Sequence, residues 1–275
     1  MTQDWRYWPD GLIQATRKAA GWLHLTISGW LALMAALVAM AATSVVLLAV
    51  SHDVLDKGDL ARRDPSVLNA IVHLRSNWSV EASKIVTQVG SAGVLLALAV
   101  ATGALLWWKG ARLGVVVAPL LALALTASAV TVLKPLIHRA RPPLPLHLVT
   151  EGEPSFPSGH STDSTALFVT VGLLLAVVVF RRPLGRVLVV GVTGLAAVLV
   201  GLSRLVLGVH WPTDVLVGWC LGGLTALVVT TVVLALPATT PRPPEGAHRV
   251  AHARWRLEHL ANIRRPATPP RPRTS

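Results

Sequence analysis

The sequence predicts an all-α, polytopic membrane protein: a bundle of six transmembrane helices with a candidate active site at its external edge. Of the 275 residues, 53% are apolar and 14% are charged, whereas about a quarter of the residues in a soluble domain are charged. The apolar residues form long uninterrupted blocks, as a spanning helix of about 20 residues requires. The few polar residues within or beside these blocks are concentrated in three clusters near the block ends.

The apolar blocks predict six spanning helices within a membrane domain of residues 27–236. They are placed at about 27–50, 90–108, 113–133, 160–180, 187–203 and 214–236.

The segments outside these blocks predict peripheral structure. Residues 1–26 carry tryptophan and leucine at helical spacing, with two cations on another face, which is typical of an interfacial helix lying on the membrane. Residues 237–275 are rich in proline and arginine and predict a largely disordered, lipid-attracted cytoplasmic tail. The external loop of about 51–89 contains a helix start at Asp64-Pro65, and we expect it to lie flat over the bundle.

The distribution of lysine and arginine predicts the orientation. With a cytoplasmic N-terminus, 16 of the 25 cations lie in cytoplasmic segments with only four carboxylates, and the external segments hold nine of each. The excess of +12 therefore lies on one side, as the positive-inside rule predicts for a multi-pass protein of the cell membrane with both termini in the cytoplasm. No nucleic-acid partner is needed to explain it.

All three polar clusters fall at the external ends of the predicted helices. They comprise Lys134 and Arg141, then Ser158, Gly159 and His160, then Ser203, Arg204, His210 and Asp214. Each cation alone is explained by a helix C-terminus or by snorkelling to the interface. Together, three cations on a side without cationic excess can neutralise a dianionic phosphoryl group.

The second cluster directly precedes a predicted helix. Ser158 is a favourable N-cap residue, and Gly159 lets the backbone approach a ligand closely. The first N–H groups of such a helix form an anion site. The alternative is an ordinary helix cap.

His210 and Asp214 are four residues apart, with Pro212 between them at a natural helix start. If this turn is helical, both side chains share one face, so that Asp214 accepts the proton of one imidazole nitrogen and the other nitrogen is free to attack. The alternative is an interfacial histidine near an acid that favours a first helical turn.

Two histidines and an aspartate could also be metal ligands. A divalent ion would then lie beside three fixed cations, which is electrostatically unfavourable, and the number of carboxylates is low for a magnesium phosphatase. We therefore expect neither a metal nor another cofactor.

The three clusters resemble the KxxxxxxRP, PSGH and SRxxxxxHxxxD signature of the type 2 phosphatidic acid phosphatase superfamily. Every signature position is filled between residues 134 and 214, and the hydropathy pattern extends the similarity over about 27–236. That family includes lipid phosphate phosphatases, bacterial undecaprenyl pyrophosphate phosphatases and soluble vanadium haloperoxidases.

The resemblance implies a role for each cluster residue. Six residues would bind the phosphoryl oxygens: Lys134, Arg141, Ser158, Gly159, Ser203 and Arg204. His210 would be the nucleophile that forms a phosphohistidine, oriented by Asp214. His160 would donate a proton to the leaving oxygen and then activate water.

The sequence therefore predicts a metal-independent membrane phosphatase that removes the terminal phosphate of a lipid phosphate or pyrophosphate. Undecaprenyl pyrophosphate is the first choice of substrate, and phosphatidic acid or phosphatidylglycerol phosphate is the alternative. A transporter of anionic lipids is disfavoured, because the apolar blocks hold few polar residues at mid-membrane depth. A non-catalytic lipid-binding homologue is disfavoured by the intact His160, His210 and Asp214. The pattern does not predict an oligomeric state.

Overall fold

The computed structural model describes residues 27–235, with side chains from Trp30 onward, and the regular secondary structure in this range is helical. The predicted interfacial segment and the basic tail lie outside the described residues. The eight α-helices are α1 (Ile27–Leu55), α2 (Asp59–His73), α3 (Asn77–Val89), α4 (Ala92–Trp108), α5 (Leu113–Ile137), α6 (Gly159–Val178), α7 (Pro183–Val206) and α8 (Pro212–Ala235). A short 3-10 helix, Leu144–Leu146, lies between α5 and α6.

The prediction of an all-α, multi-pass membrane protein is confirmed. Five of the described helices are long and apolar enough to cross a membrane: α1, α5, α6, α7 and α8. The pair α3 and α4 meets the same criteria of length and composition when it is taken as one span, which gives up to six spans.

The predicted second span, residues 90–108, corresponds to α4, which meets the criteria of a span only together with α3. Helices α3 and α4 are bent by 53° at the break around Gly90. A Cβ atom on Gly90 would lie 2.5 Å from Cγ1 of Val200 and 3.3 Å from Cδ2 of His160. Glycine therefore lets the chain turn against α7 and next to the start of α6.

The helix start predicted at Asp64-Pro65 is wrong. Helix α2 begins five residues earlier, at Asp59, and Pro65 lies inside it. The Asp53 carboxylate at the end of α1 accepts hydrogen bonds from the first-turn N–H groups of Leu60 (3.4 Å) and Ala61 (2.8 Å). This cap from the preceding helix satisfies free N–H donors of the first turn, so a cap at Asp64 is not needed. Segment 51–89 is therefore the end of α1 followed by α2 and α3, rather than a loop.

Helix α6 is at the centre of the bundle and packs against α4, α5, α7 and α8. Its contact with α8 depends on glycine. A Cβ atom on Gly218 would lie 2.9 Å from Cβ of Ser161 and 3.0 Å from the carbonyl oxygen of Ser158, and one on Gly222 would lie 2.3 Å from the carbonyl oxygen of Thr162. Such small residues let membrane helices approach until their backbones touch.

The order of the helices explains where the three clusters meet. Lys134 lies in the last turn of α5, His160 in the first turn of α6 and Arg204 in the last turn of α7, while Asp214 lies in the first turn of α8. Consecutive antiparallel helices place these four turns at the same end of the bundle.

We expect Gly222→Ala to destabilise the protein by about 1–3 kcal/mol, because the added methyl group meets backbone atoms of α6 that cannot move aside. Gly223→Ala is the matched control: its Cβ would meet nothing within 4 Å, so it should be neutral or stabilising by up to about 1 kcal/mol. Thermal unfolding of the purified protein in micelles measures both changes. Equal effects of the two substitutions would contradict the close contact between α6 and α8.

Candidate active site

The turn after α7 brings His210 to the end of the bundle. Gly208 adopts φ +73°, and a Cβ atom there would lie 2.2 Å from the carbonyl oxygen of Leu146. Arg75 joins the same segments, since its Nε donates to the carbonyl of Val206 (2.7 Å) and its Nη2 to that of Leu146 (2.9 Å). The left-handed glycine and this arginine therefore hold the turn that precedes the histidine.

His210 and Asp214 are both buried and face one another. His210 lies before α8 rather than within it, and its Nδ1 is 3.5 Å from Oδ2 of Asp214. The distance is long for a hydrogen bond, and Nδ1 has no other partner among the described residues. The predicted pairing of the two side chains is therefore present in a loose form.

The second imidazole nitrogen faces a cation. Nε2 of His210 lies 3.2 Å from Nη1 of Arg141. A guanidinium can only donate, so Nε2 acts as the acceptor and the single imidazole proton is on Nδ1, towards Asp214. Burial lowers the pKa of His210 to about 4, which outweighs the opposite effect of Asp214. His210 is therefore neutral, with its unprotonated nitrogen beside a fixed positive charge.

Asp214 is fully buried and has several donors besides His210. Oδ1 accepts from Nη1 of Arg139, while Oδ2 accepts from Oγ of Ser155 and from the backbone N–H of Trp211 (2.9 Å). These contacts determine the orientation of the carboxylate, so that Oδ2 faces the histidine.

Arg139 links Asp214 to a second buried carboxylate, Asp64 of α2. Its Nη2 donates to Oδ2 of Asp64 (2.6 Å), and its Nη1 also donates to Oγ1 of Thr213 (2.8 Å). Asp64 in turn accepts from the backbone N–H (3.0 Å) and the hydroxyl (2.5 Å) of Thr213. Sequence reasoning missed Arg139 and Asp64 as site residues, although Arg139 lies only two residues before Arg141.

Two of the three predicted phosphate-binding cations share a carboxylate. Arg204 is 2% exposed, and it donates through Nη1 to Oγ1 of Thr87 (2.7 Å) and through Nη2 to Oε1 of Glu151. Nη2 of Arg141 lies 3.3 Å from Oε2 of the same glutamate. Burial by itself would raise the pKa of Glu151, but Arg204 and Arg141 outweigh it, so the pKa is lowered and the carboxylate is charged.

The third cation, Lys134, lies 3.2 Å from Oε2 of Glu153, whose side chain is 75% exposed. Arg141 is fixed further by hydrogen bonds to the carbonyl oxygens of Glu153 and Val209, both 2.6 Å. The three cations thus converge on one acidic loop, and sequence reasoning did not assign its two glutamates to the site.

His160 is half-buried at the start of α6 and has no hydrogen bond to another described residue. It lies within electrostatic reach of Arg204, Glu151, His210 and Lys134. The structure therefore brings both predicted histidines to the same end of the bundle as the cations.

The hydroxyl groups of the two predicted serines are engaged inside the protein. Oγ of Ser158 caps α6, 3.5 Å from the N–H of Ser161 and 2.9 Å from its hydroxyl. Oγ of Ser203 donates to the carbonyl of Val200 (2.6 Å). Gly159 opens α6, so its N–H belongs to the first helical turn, where backbone donors are free for an anion. Phosphate binding by these three residues stays a prediction.

Between residues 27 and 235, no group of three or more histidine, cysteine, aspartate or glutamate side chains is arranged to hold a metal ion. The donor set around His210 is instead dominated by guanidinium groups, which repel a divalent cation.

We expect the imidazole of His210 to titrate near pH 4 rather than near its ordinary 6.5, because the buried site disfavours the charged form. Between these two pH values the folded state binds fewer protons than the unfolded state. The free energy of unfolding should therefore decrease as the pH falls from about 6.5 towards 4. NMR of the histidine-labelled protein measures the titration, with the signal assigned as the one missing in His210→Ala. A midpoint near 6.5, or a proton on Nε2 at pH 7, would contradict the deduced state.

The chain is also similar in sequence to known proteins. Residues 115–237 match the model of the PAP2 superfamily. Phosphatidylglycerophosphatase B of Bacillus subtilis is 34% identical over 171 residues, which is 60% of this chain and 81% of the relative. Decaprenylphosphoryl-5-phosphoribose phosphatase of Mycobacterium tuberculosis is 37% identical over 113 residues, 40% of this chain and 56% of the relative.

The fold is also similar to a solved structure. The crystal structure of a transmembrane PAP2-type phosphatidylglycerolphosphate phosphatase from Bacillus subtilis superposes with a TM-score of 0.66 at 28% identity, covering 73% of this chain and 98% of that one. With the sequence relatives, this likeness shows that the chain belongs to the PAP2 superfamily of membrane phosphatases.

Proposed function

We propose that this protein is a metal-independent phosphatase that hydrolyses the terminal phosphate of a membrane lipid through a phosphohistidine intermediate. The observation that carries the proposal is the contact between Nε2 of His210 and Arg141. Because a guanidinium only donates, Nε2 is deduced to be unprotonated, which supports an attacking nitrogen beside a group suited to bind phosphoryl oxygens in two-point geometry.

In this proposal the phosphoryl group is bound by Lys134, Arg141 and Arg204. Nε of Arg204 is buried and has no partner among the described residues, so one further donor is ready for an oxygen of the ligand. Fixed cations stabilise the charge of the transferring phosphoryl group without reorganising during the reaction. Such electrostatic stabilisation usually lowers the barrier more than any other single effect in catalysis.

The reaction then has two steps. Nε2 of His210 attacks phosphorus, the bond from phosphorus to the lipid oxygen breaks, and His160 gives that oxygen a proton, which it takes up when the phosphate dianion binds beside it and favours the charged imidazole. Asp214 stabilises the positive charge on the imidazole of His210 by accepting the proton of Nδ1 in a hydrogen bond. His160, now neutral, takes a proton from water, which attacks the phosphohistidine and releases phosphate.

Two classes of lipid are candidate substrates. The names of the relatives describe phosphatases of a glycerolipid and of a polyprenyl lipid, so phosphatidylglycerol phosphate stands beside undecaprenyl pyrophosphate, the first choice from the sequence. Phosphate release from a panel of phosphatidylglycerol phosphate, undecaprenyl pyrophosphate and phosphatidic acid distinguishes them. Binding of these lipids without release would indicate a non-catalytic homologue.

The proposed location is the cell membrane, with both termini in the cytoplasm and the site at the external surface. The distribution of lysine and arginine supports this orientation, and an external site would act on lipids of the outer leaflet.

His210→Ala should lower the rate of phosphate release, assayed in EDTA, by at least about three orders of magnitude, because the nitrogen that attacks phosphorus is lost. Acid-labile phosphoenzyme, trapped with ³²P-labelled lipid, should be present in the unaltered protein and absent in the variant. His73→Ala is the control, since His73 is exposed at the end of α2. Retained turnover in His210→Ala, or a strict magnesium requirement, would overturn the mechanism.

Glu151→Gln should tighten the binding of vanadate, a phosphate mimic, by about tenfold. A ligand that reaches both Arg141 and Arg204 must replace the Glu151 carboxylate, and a hydrogen bond to a charged group contributes about 1.5–3 kcal/mol, where about 1.4 kcal/mol is tenfold. Without ligand, the same variant should unfold at a lower temperature, because two buried guanidiniums lose their counter-charge.

Glu153→Gln is the matched control for this experiment. It lies on the same loop, but its carboxylate is exposed and contacts only Lys134 among the described side chains, so its effect on vanadate binding should be small. Calorimetric titration in micelles measures the vanadate affinity of the unaltered protein, of Glu151→Gln and of Glu153→Gln. Unchanged affinity in Glu151→Gln would show that the anion does not bind between the two arginines.

A further inference from the structure

Arg139 is buried behind the catalytic pair and has no polar contact with the three proposed phosphate-binding cations. Its side chain is 16% exposed, and its guanidinium donates to Asp214, Thr213 and Asp64. The centroid of the Trp211 ring lies 5.9 Å from Cζ of Arg139, within reach of a cation–π contact. Both terminal nitrogens of this guanidinium therefore have carboxylate partners, as a buried charge requires.

Asp64 fixes the other side of Arg139. It is 2% exposed, and its two oxygens accept from Arg139 and from both the backbone and the hydroxyl of Thr213. Thr213 lies in the first turn of α8, next to Asp214. A single carboxylate from α2 therefore holds both Arg139 and the turn that carries Asp214.

The consequence for His210 follows from the two oxygens of Asp214. Arg139 donates a hydrogen bond to Oδ1, while Oδ2 lies 3.5 Å from Nδ1 of His210. A buried carboxylate without a cation favours its protonated form, which is an uncharged and therefore weaker acceptor for the proton of Nδ1. The positive charge of Arg139 thus keeps Asp214 ionised and directed, and the imidazole proton stays on Nδ1.

We propose that Arg139 and Asp64 are positioning residues of this active site, which keep the carboxylate of Asp214 charged and aimed at His210 so that Nε2 is free to attack. The role of His210 as nucleophile rests on the proposed function, whereas the effect on the state of its imidazole does not. By this inference α2 forms part of the catalytic apparatus rather than a cover over the bundle.

The test compares Arg139→Gln, Arg139→Lys and Asp64→Asn with matched controls on α2. The controls are Arg62→Gln and Asp59→Asn, since these two exposed side chains pair with one another at 3.9 Å. Four quantities are measured for the purified proteins in micelles: the kcat and KM for phosphate release, the affinity for vanadate, the midpoint of thermal unfolding, and the position of the imidazole proton of His210 by NMR.

We expect Arg139→Gln to lower kcat by about 10–100-fold, the usual effect of removing a partner that orients a functional side chain. The affinity for vanadate should stay unchanged. NMR should show part of the His210 population with its proton on Nε2. Arg139→Lys should recover part of kcat, because it keeps the charge but not the two-point geometry, and Asp64→Asn should act in the same direction as Arg139→Gln. If Arg139→Gln fails to fold, the other two variants carry the test.

Unchanged kcat and an unchanged imidazole state in all three variants would overturn the inference. So would an equal loss of kcat, vanadate affinity and thermal stability, because that pattern describes a purely structural ion pair. A protein that releases no phosphate even when unaltered would refute the proposed function instead, and the NMR comparison would still decide the role of Arg139.

Discussion

Charges buried near lipid must be paired with one another, and this requirement organises the whole end of the bundle that holds the site. Among the described residues, the charged side chains of low exposure at this end include Lys134, Arg139, Arg141, Arg204, Asp64 and Asp214, each at most 16% exposed. Uncompensated burial of any of them would cost several kcal/mol. The observed network alternates guanidinium and carboxylate groups, so a change at one member is felt by its neighbours.

The network has two sides, which meet at His210. On one side, Arg141 and Arg204 share Glu151, and Arg141 also contacts Nε2 of the histidine. On the other side, Asp214 faces Nδ1 of the histidine and forms an ion pair with Arg139. The imidazole is thus polarised between a cation and an anion, and this explains why one neutral tautomer is selected in a buried site.

The scaffold supports this arrangement through close helix contacts. Gly218 and Gly222 let α8 approach α6 until backbone atoms touch, and the N–H of Ser158 donates to the carbonyl of Asp214 (3.2 Å). The starts of the two helices are therefore joined directly. Because close packing leaves little freedom between membrane helices, the distance between His160 at the start of α6 and the His210–Asp214 pair at the start of α8 is kept constant.

The fold class, the approximate spans and the signature residues could be predicted from the sequence, because apolar blocks and charges at their ends are local properties of the chain. Lys134, His160, Arg204 and Asp214 were predicted at the ends of apolar blocks, and the structure has all four in first or last helical turns. The pairing of each carboxylate with its cation, in contrast, is set by tertiary structure. The contact of Asp64 with Arg139 joins residues 75 positions apart, and no local pattern specifies it. The early start of α2 was missed for the same physical reason, since its cap comes from the preceding helix through Asp53.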